Sequence, residues 1–206
     1  MLSRWLVVGL GNPGPTYAHH RHNVGAMVIE ELARRASVSF KPKRLDQALV
    51  ANTHLSRAGW GLPGSDLQPV TLALSRRYMN ESGVPIRRLL AAEKVNLDHL
   101  IVVHDELDLD LGRLRVKTGG GDNGHNGLRS IRAIVGSGDY FRVRIGVGRP
   151  SGRMSVTDWV LTDFRAAERD DLQAVVQAGA DAVGSLIMDG LASTQQGFNQ
   201  AAGLVH

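Results

Sequence analysis

The stretch Trp5-Leu6-Val7-Val8-Gly9-Leu10-Gly11-Asn12-Pro13-Gly14 contains the first predicted strand, Trp5 to Val8, which ends in a glycine-rich turn. A short β-branched run bounded by Gly and Pro is typical of a buried strand. Apolar residues then recur at helical spacing, which predicts an amphipathic helix over residues 23–36 with Asn23 as its N-cap. This order of strand, turn and helix indicates an α/β fold and puts Asn12 just beyond the end of the first strand.

The same alternation of patterns continues along the chain. Strands are predicted over residues 48–55, 69–74 and 100–103, around Leu114 and Val116, and over 141–147. Helices are predicted over residues 80–92, 126–135 and 164–188, with Asp189-Gly190 closing the last of these and a short helix after it. We therefore expect one α/β domain, residues 1–206, with a twisted, mostly parallel mixed central sheet flanked by helices.

Composition excludes several kinds of chemistry. The 206 residues include no cysteine, so there is no disulfide, no thiolate metal site and no cysteine nucleophile. No apolar run approaches the roughly 20 residues that a membrane-spanning helix needs, so we expect no membrane partner and a cytoplasmic location. The net charge of +4 permits nucleic-acid binding without requiring it. Basic residues concentrate in one stretch, at Arg113, Arg115, Lys117, Arg129, Arg132, Arg142, Arg144, Arg149 and Arg153.

Three glycine-containing motifs do not fit the functions that they first suggest. Gly9-x-Gly11-x-x-Gly14 matches the dinucleotide fingerprint, but the helical pattern starts only near residue 23, too late to meet a pyrophosphate. The glycine-rich stretch 119–127 lacks the Gly-Lys-Ser/Thr of an NTPase loop. No Gly-x-Ser-x-Gly occurs, which leaves a serine nucleophile without support.

Asparagines in glycine-rich corners carry the functional signal. Asn12, Asn23, Asn80 and Asn126 all have a glycine within three residues, although Asn is a poor helix and strand former. His22 lies just before the helix at 23–36, and Asp105 follows the strand at 100–103, so Asn12 and Asp105 can converge at the carboxyl edge of the sheet. We interpret these residues as an uncharged amide pocket around an acid–base pair that activates water. His19 and His20 are expected to be exposed.

Seven segments resemble the bacterial peptidyl-tRNA hydrolase family, in family order and over about three quarters of the chain. Each is weak alone, but together they are highly specific. They are Val8–Gly14, Tyr17, Arg21–Gly25, Met79–Gly83, His104–Asp108, Gly119–Gly121 with Gly124–Leu128, and Arg142–Gly148. The resemblance implies hydrolysis of the ester between a peptide and the 3′-terminal ribose of tRNA, by a monomeric enzyme without metal or other cofactor.

The resemblance also implies a role for each matching residue. His22 is the general base, Asp105 orients it, and Asn12 positions water or the ester carbonyl. Asn80 and Asn126 bind the peptide main chain and the scissile region, while Tyr17, Asn23 and Met79 shape the site. Lys117 and Arg144 match positions that contact tRNA phosphate. The implied partner is peptidyl-tRNA, bound through its acceptor end and its peptide.

Two other functions compete with this interpretation. The first is an RNA-binding module that performs no chemistry. The second is a metal-dependent phosphohydrolase built on the carboxylates of residues 104–110, because hard cations take carboxylate oxygens.

Some segments depart from the family pattern. They are Ser75-Arg76-Arg77-Tyr78, Asn123 and the tail from Gln195 to His206. We also expect the loop at 149–157 to gate the cleft, because it contains Gly152 and follows Gly148.

Overall fold

A computed structural model describes residues 3–199, so the tail beyond Asn199 lies outside the described residues. Eight strands and five α-helices follow one another along this part of the chain. The strands are β1 (Trp5–Gly9), β2 (Lys41–Lys43), β3 (Ala48–Ser56), β4 (Gly59–Trp60), β5 (Gln68–Ser75), β6 (Leu100–Glu106), β7 (Leu114–Thr118) and β8 (Phe141–Gly146). The helices are α1 (Val24–Arg35), α2 (Gly83–Glu93), α3 (Asn126–Val135), α4 (Val156–Val160) and α5 (Arg169–Phe198).

The strands form one mixed sheet in the order β2-β3-β5-β1-β6-β8-β7, with β4 paired to β3. The four central strands β5, β1, β6 and β8 are parallel. The outer strands β3 and β7 pair antiparallel with β5 and β8. The expected single α/β domain with a mostly parallel mixed sheet is confirmed, and the carboxyl ends of β1 and β6 lie side by side.

Helices cover both faces of the sheet. On one face, α1 and α5 pack over apolar side chains such as Val7, Val103 and Val143. On the other face, α2 and α3 pack over a second group that includes Leu6, Val102 and Tyr140. Because the central strands are covered on both sides, they consist of continuous apolar runs.

Close packing of glycines fixes the position of α1. A Cβ atom on Gly25 would lie 2.2 Å from the carbonyl oxygen of Val103, and one on Gly9 would lie 2.4 Å from the oxygen of Gly25. The first turn of α1 therefore lies directly against the backbone of β1 and β6. Two glycines of the fingerprint-like motif, Gly9 and Gly11, lie against the start of α1, whereas Gly14 has no such contact. The turn Arg21–Asn23 before α1 is brought next to the end of β6.

The observed elements differ from the predicted ones at several boundaries. Strand β6 continues through His104, Asp105 and Glu106, so these three residues belong to the strand. Helix α5 starts at Arg169 instead of residue 164, and at Gly190 its backbone leaves helical geometry with φ 79°, where the helix was predicted to close. The short strands β2 and β4 and the helix α4 were not predicted.

Within residues 3–199, none of the helices combines the length and the apolar character that crossing a bilayer requires.

Candidate active site

Asp105 is the centre of a buried cluster with two histidines. Its Oδ1 lies 2.8 Å from Nδ1 of His22 and 2.8 Å from Nε2 of His125. His22 comes from the turn before α1, Asp105 from the end of β6, and His125 from the residue before α3. Three elements far apart in sequence thus bring two imidazoles to one carboxylate, whose side chain is only 2% exposed.

The hydrogen bonds around the cluster determine the tautomers of both rings. Nδ1 of His125 accepts hydrogen bonds from the backbone N–H groups of Gly127 and Leu128, so the proton of this ring is on Nε2 and is donated to Asp105. An ionised Asp105 can only accept, so His22 also donates, from Nδ1. The Nε2 atom of His22 then carries a free lone pair, as a general base requires.

Burial and charge act in opposite directions on this cluster. Burial alone would lower the pKa of His22, but the charge of Asp105 and its hydrogen bond outweigh burial, so the pKa of His22 is raised above 6.5. Burial alone would raise the pKa of Asp105, but His22 and His125 hold it well below 3.8. Asp105 is therefore a carboxylate at neutral pH, and His22 has a strengthened affinity for a proton.

Asn12 is held rigidly beside the cluster. Its backbone N–H donates to Oδ1 of Asn23 at 3.0 Å, and its backbone oxygen accepts from Nδ2 of Asn23 at 2.9 Å. Its side-chain Oδ1 accepts from the backbone N–H of Met79 at 2.7 Å. Within residues 3–199, no protein acceptor pairs with Nδ2 of Asn12, so its N–H donors are left for a ligand.

A cavity of about 400 Å³ opens in front of His22 and Asp105. Asn12, Met79, Asn80 and Asn126 line it, which brings together the candidate amides. Met79 lies under α3, where a Cβ on Gly127 would come 2.6 Å from its sulfur. Helix α4 and the residue after it add apolar side chains to the lining, among them Val156, Val160 and Leu161. The cavity is thus a cleft lined by both amides and apolar side chains.

His104 is a second buried ring on the cavity wall, and it differs from His22. Its Nδ1 lies 2.7 Å from the backbone oxygen of Asp105, whereas its Nε2 has no hydrogen-bond partner among the described residues. Complete burial, followed by the neighbouring His125, lowers the pKa of His104 to about 3. His104 therefore remains neutral in the range in which His22 titrates.

Four cations share one face of the β7–β8 edge. Arg115 lies opposite Arg144 and Lys117 lies opposite Arg142 in the antiparallel register, so each pair projects to the same side. Like charges directly opposite each other destabilise a sheet unless they are compensated.

Among residues 3–199, two of these cations have hydrogen-bond or ion-pair partners. Glu106 compensates Arg144 with contacts of 2.9 and 3.0 Å, and loop carbonyls of Gly120 and Gly121 compensate Arg142. Burial, followed by the charges of Arg144 and Arg142, lowers the pKa of Lys117. We call the face formed by Arg115, Lys117, Arg142 and Arg144 the cation face. Arg142 is buried, so Arg115, Lys117 and Arg144 are the members that suit an anionic ligand.

The carboxylates of residues 104–110 do not gather into one cluster. Within the part of the chain that the structure describes, the group with ligand-like spacing is His22, Asp105 and His125, whose candidate atoms lie within 4.8 Å of one another. The hydrogen bonds given above join these three side chains directly to one another. Asp108 instead pairs with Arg149 at 2.7 Å, outside the cluster.

Several predicted residues lie elsewhere than expected. Asn23 does not cap α1 with its side chain, because that side chain is used to hold Asn12. Asn23 and Tyr17 do not line the catalytic cavity; Tyr17 packs against the rings of His20 and Tyr78. His19 is exposed as expected, but His20 is half-buried.

Sequence reasoning missed the part played by His125. It is the N-cap of α3, and it is the second ring on Asp105. A polar residue immediately before a predicted helix is the signal that could have pointed to it.

Comparison with known proteins identifies the family to which the chain belongs. The family model described as "Peptidyl-tRNA hydrolase" matches residues 6–204. The peptidyl-tRNA hydrolase of Cutibacterium acnes is 54% identical over 199 residues, covering 97% of this chain and 100% of the relative. That of Kineococcus radiotolerans is 48% identical over 202 residues, covering 98% and 100%. The crystal structure of the peptidyl-tRNA hydrolase of Acinetobacter baumannii superimposes with a TM-score of 0.86 at 29% identity, covering 100% of this chain and 99% of the other. The chain belongs to the peptidyl-tRNA hydrolase family.

Proposed function

We propose that this protein is a hydrolase of peptidyl-tRNA that cleaves the ester between the peptide and the 3′-terminal ribose with a water molecule activated by His22. Family membership supports the substrate and the reaction class. The contact of His22 with a buried carboxylate supports the mechanism, and it is the single observation on which the mechanism rests. We further propose that the whole chain, residues 1–206, acts as one domain, as a monomer, in the cytoplasm.

Nε2 of His22 takes a proton from water as the oxygen attacks the ester carbonyl carbon. Asp105 keeps the proton of His22 on Nδ1 and stabilises the imidazolium that forms, as the acid does in a catalytic triad whose nucleophile is replaced by water. The carbonyl oxygen becomes negatively charged in the tetrahedral intermediate. The imidazolium then returns its proton to the departing ribose oxygen, which yields a free tRNA hydroxyl and a peptide carboxylic acid, and the acid loses its proton to solvent to become a carboxylate.

Asn12 stabilises the developing negative charge. Its side-chain oxygen is engaged by Met79, so the group left for the substrate is an N–H donor. A donor already held in place stabilises a transition state without reorganisation, and loss of one such donor typically costs about 10²–10³ in kcat. The rigid attachment of Asn12 through Asn23 is what keeps this donor in position.

Asn80 and Asn126 bind the peptide main chain. An amide side chain offers both a donor and an acceptor, so it recognises a peptide group independently of the side chain that the group carries. Both residues are exposed to the cavity, whereas Met79 between them is buried and shapes its floor. The ring of Tyr17 lies near that of Tyr78, which precedes Met79 and Asn80, and Tyr17 contributes to substrate binding there.

Lys117 and Arg144 bind tRNA phosphate. They lie on the cation face, where Lys117 has no carboxylate of its own among the described residues and Arg144 has one. Contacts to phosphate position a nucleic acid without reading its sequence, which suits an enzyme that must accept every tRNA.

The test is the substitution His22→Ala. We expect kcat for a peptidyl-tRNA to fall by about 10²- to 10⁴-fold, the usual contribution of a general base. Binding of uncharged tRNA should persist, because the cation face is unaltered. His54→Ala, on β3 away from the cavity, is the matched control and should retain full activity. A normal rate in His22→Ala would exclude the mechanism, and a rate abolished by chelators would favour a metal-dependent one.

A further inference from the structure

A second cavity, of about 860 Å³, lies on the other side of Asn12 from the catalytic cavity. Asn12 lines both cavities, so the two adjoin at this residue. Leu49 and Leu74, paired across β3 and β5, contribute to an apolar wall. Arg44 and Arg76 also line it, against one carboxylate, that of Glu30. The cavity is thus an apolar slot with an excess of positive charge.

Backbone hydrogen bonds hold the two arginines at one corner of the sheet. The N–H of Arg76 donates to the oxygen of Gln47 at 2.9 Å, and the N–H of Gln47 donates to the oxygen of Arg44 at 3.2 Å. Gln47 has φ 56°, a region that residues with a side chain seldom adopt. Arg88 fastens the same turn by donating to the oxygen of Leu45 at 2.7 Å. The corner is therefore a defined structure that carries both guanidinium groups.

Two neighbouring cations are paired with carboxylates, unlike Arg44 and Arg76. Lys43 pairs with Asp46 and Glu93, and Arg77 pairs with Glu81. Within residues 3–199, no carboxylate lies within ion-pair distance of Arg44 or Arg76, and both side chains are exposed. They are free to bind an anionic group that enters the second cavity.

The order of the sheet separates this cavity from the cation face. The cavity lies at the β2-β3-β5 side and the cation face at the β8-β7 side, with His22 and Asp105 between them at β1 and β6. A substrate whose ester lies at His22 has two parts, the peptide and the tRNA, which extend from the ester in different directions. A polyanion is drawn to the larger concentration of positive charge. If the tRNA lies toward the cation face, the peptide lies toward the second cavity.

We propose that the second cavity binds the peptide residues upstream of the ester and that Arg44 and Arg76 favour acidic side chains there. This inference rests on the proposed function. An extended residue spans about 3.3–3.6 Å, so the second and third residues from the ester reach roughly 7–11 Å beyond the carbonyl. Because Asn12 lines both cavities, a peptide of this length can extend from the catalytic cavity past Asn12 into the second one.

The experiment compares three substrates that share the alanine ester: N-acetyl-Glu-Glu-Ala-tRNA, N-acetyl-Gln-Gln-Ala-tRNA and N-acetyl-Lys-Lys-Ala-tRNA. We expect the wild-type protein to cleave the acidic substrate with a kcat/KM about threefold to tenfold above that of the glutamine substrate, the range for one or two exposed ion pairs. The difference should lie in KM and shrink at high salt. In the double variant Arg44→Gln/Arg76→Gln the preference should disappear, whereas the surface variant Arg34→Gln should keep it.

The outcomes distinguish the two proposals. Equal cleavage of the three substrates by the wild-type protein would overturn the inference and leave the proposed function intact. A uniform rise of KM for all three substrates in the double variant would also overturn it, because it would assign the arginines to tRNA. Failure of the wild-type protein to cleave any of them would remove both proposals.

Discussion

Asp105 shows how a single residue fixes the protonation of two others. Both rings donate to the same carboxylate oxygen, and His125 can do so only from Nε2 because its Nδ1 caps α3. His125 is therefore not available as a base, although it lies as close to Asp105 as His22 does. Of the two rings on Asp105, only His22 leaves a nitrogen free for a proton from water.

The pH dependence of catalysis follows from the charge of Asp105. His22 acts as a base only when it is neutral, so kcat/KM should rise with pH through a pKa that lies above 6.5. Asp105→Asn removes the negative charge that raises this pKa. We expect the acidic limb of the pH profile to move to lower pH. We also expect the maximal rate to fall by less than the about 10²- to 10⁴-fold expected for loss of the base.

Steady-state kinetics from pH 5 to 9 measure this shift. Asp98→Asn, an exposed aspartate whose partner is His99, serves as the control and should leave the profile unchanged. An acidic limb that stays in place in Asp105→Asn, or moves to higher pH, would contradict the assignment of His22 as the titrating base.

At the scale of elements, Arg21, which precedes His22 in sequence, holds helix α4 at the wall of the catalytic cavity. The buried guanidinium of Arg21 lies 3.8 Å above the ring of Trp159 in α4, and its Nη2 is 2.7 Å from Glu168. Nε1 of Trp159 donates to the oxygen of Gly148 at 2.8 Å, which fastens the start of the loop 149–157. The loop expected to gate the cleft thus runs between the exposed pair Arg149–Asp108 and this buried attachment.

Trp159→Ala should loosen the cavity wall without altering the base. We expect faster amide hydrogen exchange over residues 149–161 and a KM several-fold higher, because the cation–π contact and the bond to Gly148 are lost, together worth about 1–3 kcal/mol. Trp159→Phe keeps a ring over Arg21 but loses the bond to Gly148. Its exchange rate and its KM should lie between those of the wild-type protein and those of Trp159→Ala. Unchanged exchange in Trp159→Ala would show that α4 is held by other contacts and would remove the proposed gate.

Sequence patterns identified the strands and helices in which burial requires apolar side chains at regular positions. The strand at Trp5, the helix at Val24 and the helix at Asn126 were predicted within one residue, because each buries one continuous set of apolar side chains. Strand β2, Lys41-Pro42-Lys43, has no such pattern, since it is exposed and exists only because β3 pairs with it. A pairing partner is a tertiary property that local sequence does not carry.

The same distinction applies to the site. His22, Asp105 and Asn12 could be predicted from their places at predicted strand and helix ends. The convergence of His22 and Asp105, 83 residues apart in sequence, depended on the packing of α1 against β6. His125 was missed because its three hydrogen bonds, two to the start of α3 and one to Asp105, involve partners on different elements.

For the whole molecule, His104 links the stability of the fold to pH. Its buried ring has a pKa lowered from 6.5 to about 3, so between these values the unfolded chain binds a proton that the folded chain does not. Stability from this group is therefore complete above pH 6.5 and is lost as pH falls toward 3. Between pH 7 and pH 5 the loss amounts to about 2 kcal/mol of unfolding free energy.

His104→Asn tests this dependence. The amide nitrogen of asparagine can take the place of Nδ1 and donate to the oxygen of Asp105, but it does not titrate. We expect urea unfolding to show that the variant loses about 2 kcal/mol less stability than the wild-type protein between pH 7 and pH 5. The variant is less stable at pH 7, because the smaller side chain leaves a cavity, so the decisive quantity is the change with pH. His19→Asn, whose ring is exposed to solvent, should keep the wild-type pH dependence. Parallel curves for His104→Asn and the wild-type protein would show that His104 takes up a proton in the folded state, and that its burial does not limit acid stability.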